Sequence, residues 1–398
     1  MTIPLKPRRQ RVASGVFASE HRSSAWEGTR VKGPRPEESI APLEKQLAAG
    51  LDDREAVFRL AAAYRDAGRR VEAAELLARY LETDRVDWDA CRGCVECYRE
   101  AGRMEAAVEI LNRYRSLYRD RAEFWLLRGL MLEEMGEWEA ALAEHDVAVR
   151  IAPHMAEAHY RQGIVRMQLG QDEEALASFE ATLRLRPRLI QALLNTGLIH
   201  EAAGRTREAV AIFEQVLEID PQCADAHINL GALYGDLGRV EAALEHSQRA
   251  MQIDPHSTRA AFNAGLALLE RDPDDAARYF RRAAEIDPEN REAFHMLGVL
   301  AQRRAKWETA VGFFRKAAAG SRPHLESLLA IGVCCSKLDR PQDAADALQQ
   351  LLELAPDHSK AWFYLGVSFD KLGEFEQARE AYRRADSVAD TARDTGAP

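Results

Sequence analysis

Three cysteines, Cys91, Cys94 and Cys97, have the spacing C-x-x-C-x-x-C, and thiolates at comparable spacing hold iron–sulfur clusters in other proteins. These residues lie in a stretch with helical periodicity, where a step of three residues turns each thiol by about 60° from the last. No fourth cysteine followed by proline is nearby. Because free cysteine packs as a small hydrophobic residue, we predict a buried cluster, no metal and no other cofactor. A metal or redox protein that uses this cluster is the alternative.

Three asparagines, Asn195, Asn229 and Asn263, recur at intervals of 34 residues. A side-chain amide offers one acceptor and two donor hydrogens, so a ladder of amides can pair with the backbone of an extended peptide whatever its sequence. Asparagine is also a frequent choice at this position of ordinary helical repeats. The spacing therefore predicts a peptide-binding ladder, and a purely structural role is the alternative.

Apolar pairs four residues apart recur with the same period and lie on one face of a helix. Because other positions of these helices already supply a core, the second apolar stripe favours contact with a partner. The alternative is that neighbouring helices crowd together and bury the stripe themselves. The predicted partner-binding side chains are Leu126, Leu130, Tyr160, Ile164, Leu194, Leu198, Ile228, Phe262 and Leu266.

A repeat of 34 residues determines which elements position these side chains. Glycine recurs at the eighth residue of eight units, and proline near the end of a unit stops its second helix. Because one helix pair cannot bury its apolar face alone, we expect successive antiparallel pairs to stack. The unit from Thr258 is one residue short at the turn between its helices. The ten units over 54–392 begin at Arg54, Trp88, Ala122, Ala156, Ile190, Ala224, Thr258, Arg291, Leu325 and Ser359.

The repeat resembles the tetratricopeptide repeat, whose pattern W-x2-L-G-x2-Y, A-x3-F is clearest at Trp362, Leu365, Gly366, Phe369 and Ala378. The resemblance implies an all-α, right-handed superhelical solenoid of about ten helix-turn-helix repeats, with first helices lining a concave groove. It also implies that the fifth, sixth and ninth residues of a unit face that groove. The asparagine series is similar to the ladder in the repeat superhelix of protein O-glycosyl transferases. No unit has the Lys and Asn pair at its fifth and ninth residues with which chaperone-binding members hold a C-terminal carboxylate.

Composition separates the N-terminal segment from the repeats. The chain of 398 residues has a net charge of −10, its first 36 residues carry +6, and the remainder therefore carries −16. An acidic array does not bind a phosphate backbone, so no nucleic acid partner is expected for it. We predict a disordered basic tail over 1–37, an N-terminal capping helix over 38–53 and a C-terminal tail over 393–398. With no apolar run of about 18 residues, we expect no membrane span and a cytoplasmic location.

The sequence lacks the short motifs of common enzyme chemistries: G-x-x-x-x-G-K, G-x-S-x-G and H-E-x-x-H. The repeats also leave little room for a separate catalytic domain. We therefore predict a non-enzymatic scaffold or adaptor that binds a protein or peptide segment in the groove. Besides the metal or redox protein, the alternative is a substrate-selecting subunit of a modifying enzyme.

Overall fold

The computed structural model describes residues 36–48, 50–83, 86–320 and 323–395, and within these ranges it describes side chains from 39 to 389. The described residues form 21 α-helices and no strand, which confirms the predicted all-α repeat solenoid. None of these helices is long and apolar enough to cross a bilayer. The predicted tail over 1–37 lies outside the described residues except for Pro36 and Glu37, which begin the first helix.

A single helix, α1, precedes ten helix pairs in which an even-numbered first helix is followed by an odd-numbered second helix. The connections between paired helices are short, so the two helices of a pair run antiparallel. The bounds are α1 Pro36–Leu47, α2 Arg54–Asp66, α3 Arg70–Leu81, α4 Trp88–Glu100, α5 Met104–Tyr114, α6 Ala122–Met135, α7 Trp138–Ile151, α8 Ala156–Gln168, α9 Asp172–Leu185, α10 Ile190–Ala202, α11 Thr206–Ile219, α12 Ala224–Asp236, α13 Val240–Ile253, α14 Thr258–Leu268, α15 Pro273–Ile286, α16 Arg291–Arg303, α17 Trp307–Ala318, α18 Leu325–Lys337, α19 Pro341–Leu354, α20 Ser359–Leu372 and α21 Phe375–Thr395.

The first helix of every pair begins at the residue where the sequence register places the start of a unit. Local chemistry explains several of these starts, because a side chain just before the helix accepts a hydrogen bond from an amide of the first turn. Such caps are Asp53, Asp87, Ser257 and Asn290. The eighth-residue glycine then brings the two helices of a pair together. A Cβ added at Gly163 would lie only 2.7 Å from Cε1 of Phe179.

The turn inside a unit depends on its fifteenth residue, which takes a left-handed backbone conformation. Glycine usually occupies this place, since it adopts positive φ without steric cost. Ala305 and Asp339 adopt the same conformation, at φ 53° and 56°, without being glycine. The short unit lacks this residue. Its first helix α14 ends at Leu268, and the Asp272 side chain accepts hydrogen bonds from the backbone amides of Asp274 and Asp275 in the first turn of α15. The missing residue is therefore absorbed in a different turn, and both helices are kept.

The described residues divide into two compact bodies, with the boundary between Ile212 and Phe213. Within the described part of the first body, α1 packs on α2 and the helix pairs stack behind it, with Phe124 and Phe179 fully buried. Within the second body, the fully buried rings include Phe280 and Phe314. In both bodies the core lies between the first and second helices, which leaves the other side of the first helices to be considered as a binding surface.

Candidate functional site

The first-helix face consists of the fifth, sixth and ninth residues of the first helices. In the five units that begin at residues 122 to 258, the fifth residues are packed between helices and have almost no accessible surface. Such burial is what the alternative interpretation of the apolar stripe predicts, namely that neighbouring helices cover these side chains themselves. The buried fifth residues of the predicted set are Leu126, Tyr160, Leu194, Ile228 and Phe262.

The three asparagines form hydrogen bonds to neighbouring units. Nδ2 of Asn195, a side chain that is only 1% exposed, donates to the Tyr160 hydroxyl at 3.4 Å. Oδ1 of Asn229 accepts from Nη2 of Arg259 at 2.9 Å, and Nδ2 of Asn263 donates to the carbonyl oxygen of Ile228 at 3.1 Å. Of the three, Asn263 alone is partly exposed. The structural role is therefore visible in all three, and the peptide-binding ladder stays a prediction.

Most of the ninth residues discussed below are partly exposed, in contrast to the buried fifth residues. In the first body Leu130 and Leu198 are partly exposed, whereas Ile164 is buried. In the second body all five consecutive units place an apolar, partly exposed side chain here. We call this set the ninth-residue strip; its members are Ala232, Leu266, Val299, Val333 and Val367.

Charged side chains follow the strip one helical turn further on, at the thirteenth residues. Asp236 and Glu270 come first, and Arg303, Lys337 and Lys371 follow in the later units, all of them exposed. Nη2 of Arg303 lies 2.8 Å from Oε1 of Glu270, and Nζ of Lys371 lies 3.1 Å from Oδ1 of Asp339 in the turn of the preceding unit. Exposed ion pairs contribute little to stability, so both partners are available to a ligand at small cost.

The cysteine cluster is buried, as predicted. Cys91, Cys94 and Cys97 have no accessible surface, and Sγ of Cys94 donates to the carbonyl oxygen of Ala74 at 3.3 Å. Burial raises the pKa of Cys91 and of Cys97 to about 12, so both stay protonated at neutral pH. Among the residues that the structure describes, no group of three or more His, Cys, Asp or Glu side chains is arranged to hold a metal ion.

Two histidines of the second body meet at a cavity of about 460 Å³. Nδ1 of His227 lies 2.9 Å from Nδ1 of His246, and Nε2 of His227 lies 3.3 Å from the carbonyl oxygen of Pro221. At the same place in other units, the indole N–H of Trp125 and of Trp362 donates to the carbonyl six residues earlier. Nε2 of His227 therefore takes the place of the indole N–H, and the two histidines form a hydrogen-bonded pair.

A buried charged cluster in the first body is not anticipated from the motifs. Nε2 of the fully buried His145 lies 2.7 Å from Oε1 of Glu133, and Nη1 of Arg161 lies 3.6 Å from Oε2 of the same carboxylate. The sequence signals this cluster through the repeat register, because His145 stands at the position where other units have Phe179 and Phe280. Because the cluster is enclosed, it holds neighbouring helices together and offers no surface to a ligand.

A second cavity, of about 640 Å³, lies beside the loops that precede α4 and α6. Val86 and Leu117 line it and are both well exposed, with the Trp88 ring between the two loops. The hydroxyl group of Tyr118, which also lines this cavity, is buried with no hydrogen-bond partner. The first body therefore has its own depression, lined by charged as well as apolar side chains and separate from the ninth residues.

Comparison with protein families finds four models that match this chain. Three describe the tetratricopeptide repeat and match residues 64–131 and 200–261, residues 154–222, and residues 336–397. The fourth describes subunit 3 of the anaphase-promoting complex, or cyclosome, and matches residues 270–351.

Individual relatives are more distant. The chain is 29% identical over 119 residues to the cell division cycle protein 16 homologs of Homo sapiens and Mus musculus, which is 28% of this chain and 19% of each relative. The match thus spans about a fifth of the length of these relatives. Among solved structures, a tetratricopeptide repeat protein from Parabacteroides merdae aligns with 62% of this chain and 98% of its own, at 18% identity and a TM-score of 0.50. This likeness concerns the fold.

Proposed function

The chain belongs to the tetratricopeptide repeat family, and from that membership we propose that it is a non-enzymatic scaffold that binds a protein partner on its first-helix face. The observation that carries this proposal is the ninth-residue strip. Five consecutive units each leave an apolar side chain partly exposed, although the core is already complete without it. The family model named for a subunit of a large complex matches 270–351, within the same body, which supports a role in assembling proteins.

The dimensions of the strip fit an extended segment. Packed helices lie about 8–10 Å apart, so five first helices in succession span roughly 35 Å. An extended chain rises about 3.3 Å per residue, and a segment of about ten residues therefore covers the strip with a side chain near every third residue. Such a segment requires apolar residues at that spacing and acidic or basic residues that complement Lys337 and Glu270.

The sequence-derived site residues divide into two roles under this proposal. Leu130 and Leu198 in the first body and Leu266 in the second contact the partner, because these side chains are partly exposed. Asn263 lies one turn before Leu266 and pairs with the backbone of the partner. The buried members, which are Leu126, Tyr160, Ile164, Leu194, Asn195, Ile228, Asn229 and Phe262, fix the spacing of the helices that present them.

A pair of substitutions within the strip tests the proposal. Leu266→Asp combined with Val299→Asp places two charges in the strip, and Leu354→Asp is the control, since Leu354 is 52% exposed at the end of the second helix α19 and is not part of the first-helix face. Immobilised full-length chain of each type is used for quantitative affinity purification from native cells, after circular dichroism has confirmed folding. We expect specific partners to be depleted at least tenfold by the double variant and retained by the control. Equal recovery of the same proteins by all three chains would refute the proposal.

A further inference from the structure

Basic side chains concentrate at the C-terminal ends of α16 and α18 in the second body. The segments 303–306 and 337–340, which end these helices and form the turns after them, contain five basic residues and one acidic residue, which leaves a local charge of +4. The equivalent segments of the two preceding units, 236–239 and 270–272, contain two basic and three acidic residues, which leaves −1. We call the five side chains, all of them exposed, the basic patch; its members are Arg303, Arg304, Lys306, Lys337 and Arg340.

Carboxylates of the chain itself neutralise only part of the basic patch. Arg303 and Arg304 each contact one carboxylate of the preceding unit, that of Glu270 and that of Asp274, at 2.8 Å. Such exposed ion pairs contribute little to stability, so a ligand can replace them at small cost. The other three members form no ion pair within 4 Å in the part of the chain that the structure describes; they are Lys306, Lys337 and Arg340.

Apolar side chains lie beside the basic patch on the same helix faces. On α18, Leu329 and Val333 precede Lys337 by two turns and by one turn, and both are partly exposed. On α16, the partly exposed Val299 precedes Arg303 by one turn. Each of these two helices is followed by another first helix in the same body, so the exposure occurs within the stack of units. The two helices therefore present an apolar surface with a basic edge.

We propose that this surface binds a short segment of a partner protein that is both apolar and acidic. Its apolar side chains contact Val299, Leu329 and Val333, and its carboxylates contact the basic patch. The inference rests on the proposed function, because Val299 and Val333 belong to the ninth-residue strip, and it adds the charge of the partner. Opposite charges orient the segment on the surface, and the apolar contacts hold it there. A nucleic acid would pair with the basic patch but would leave the apolar side chains uncovered.

The spacing of the helices specifies how the partner sequence repeats. The first helices α16 and α18 are neighbours, since Nδ1 of His295 lies 2.8 Å from Oγ of Ser327. Packed helices lie about 8–10 Å apart. A chain in the polyproline II conformation repeats every three residues and rises about 3.1 Å per residue, so one triplet advances about 9 Å. A segment that crosses the helices in this conformation brings one apolar and one acidic residue to each helix when both recur at every third position.

Two synthetic peptides test the sign of the charge. Both are fluorescein-labelled nonapeptides, one made of three Leu-Asp-Pro triplets and the other of three Leu-Lys-Pro triplets, because proline favours the polyproline II conformation. Their binding to the full-length chain is followed by fluorescence polarisation at low and at physiological salt. We expect saturable binding of the acidic peptide and at least tenfold weaker binding of the basic peptide. The affinity for the acidic peptide should fall at the higher salt, because salt screens exposed charges.

Three variants locate the binding site. Lys337→Glu should weaken binding of the acidic peptide at least tenfold and strengthen binding of the basic peptide. Arg281→Glu is the matched control with the same change of charge, since Arg281 is exposed on the second helix α15, and it should bind both peptides as wild type does. Leu329→Asn should weaken binding of the acidic peptide at least threefold, because an apolar contact is lost. Circular dichroism checks that each variant folds.

Four results would overturn the inference: no saturable binding of the acidic peptide, equal binding of the two peptides, equal losses in Lys337→Glu and Arg281→Glu, or tighter binding of a 20-nucleotide DNA strand that Lys337→Glu abolishes. The last result would assign the basic patch to nucleic acid. The proposed function fails or survives separately. Loss of partners by the strip variant, together with failure of the acidic peptide to bind, would refute this inference alone. The expected peptide binding, together with equal recovery of partners by all chains, would refute the proposed function alone.

Discussion

Replacing glycine by alanine is expected to change stability in opposite directions at two positions of one unit, Gly298 in α16 and Gly312 in α17. A Cβ at Gly298 would lie 2.5 Å from both Cδ1 and Cε1 of Phe314, whose ring is fully buried. No atom lies within 4 Å of a Cβ at Gly312, which is exposed. The added methyl group therefore meets a packed ring in one helix and solvent in the other.

The magnitudes follow from two opposing effects. Alanine is favoured over glycine inside a helix by about 1 kcal/mol, and Gly312→Ala should gain most of this amount. At Gly298, ordinary carbon contacts of about 3.5–4.0 Å require the ring or the helix to move by about 1 Å or more. Overpacking of this kind costs roughly 1–3 kcal/mol, so Gly298→Ala should lower the free energy of unfolding by up to about 2 kcal/mol after the helix gain is subtracted.

Urea unfolding followed by circular dichroism measures both changes, and hydrogen exchange of the α16 and α17 amides localises them, because a repeat array need not unfold in one step. A smaller side chain opposite Gly298 should relieve the clash. The combination of Gly298→Ala with Phe314→Leu is therefore expected to lose less than the sum of the two single changes. If Gly298→Ala raised stability as much as Gly312→Ala does, the close contact between α16 and α17 would not limit the packing.

Ala305→Gly should raise the free energy of unfolding by about 1 kcal/mol, measured in urea, because Ala305 holds a left-handed φ of 53° that glycine adopts without strain. Burial, and secondarily the neighbouring His324, lower the pKa of His295 to about 4, against about 6.5 in the unfolded chain. The unfolded chain therefore binds the proton first, and the free energy of unfolding should fall as the pH is lowered from about 6.5 to 4 in a urea series; the fall should be smaller in His295→Gln, in which burial still lowers the pKa of His200, His227 and His246. Cys223 is partly exposed and should react with a thiol reagent in the native protein, whereas the five buried cysteines should react after unfolding. Asn195→Ala should lower the free energy of unfolding by about 1 kcal/mol through the lost bond to Tyr160, and a midpoint equal to wild type would show that this bond contributes nothing.

The array could be predicted from the sequence because its determinants repeat and act over short distances. The 34-residue period places a glycine at the eighth residue of eight of the ten units and breaks the chain at the same points, and each first helix begins at the residue that this register specifies. The short unit from Thr258 was visible in the same way, as a gap in the register. The burial of Cys91 and Cys94 also followed from their places in the unit, since register alone assigns them to the interior.

The binding surface could not be assigned by the same means. Phe262 and Leu266 are both apolar, lie four residues apart on one helix and are equivalent by any local pattern, yet Phe262 is buried and Leu266 is partly exposed. Their exposure depends on packing between units, which the pattern within one helix does not contain. Exposure also differs between units at the same position, because Leu194 is buried whereas Leu329 is partly exposed. Periodicity within a helix determines which side chains share a face, whereas the distance between helices, set by packing across units, decides which of them a partner can reach.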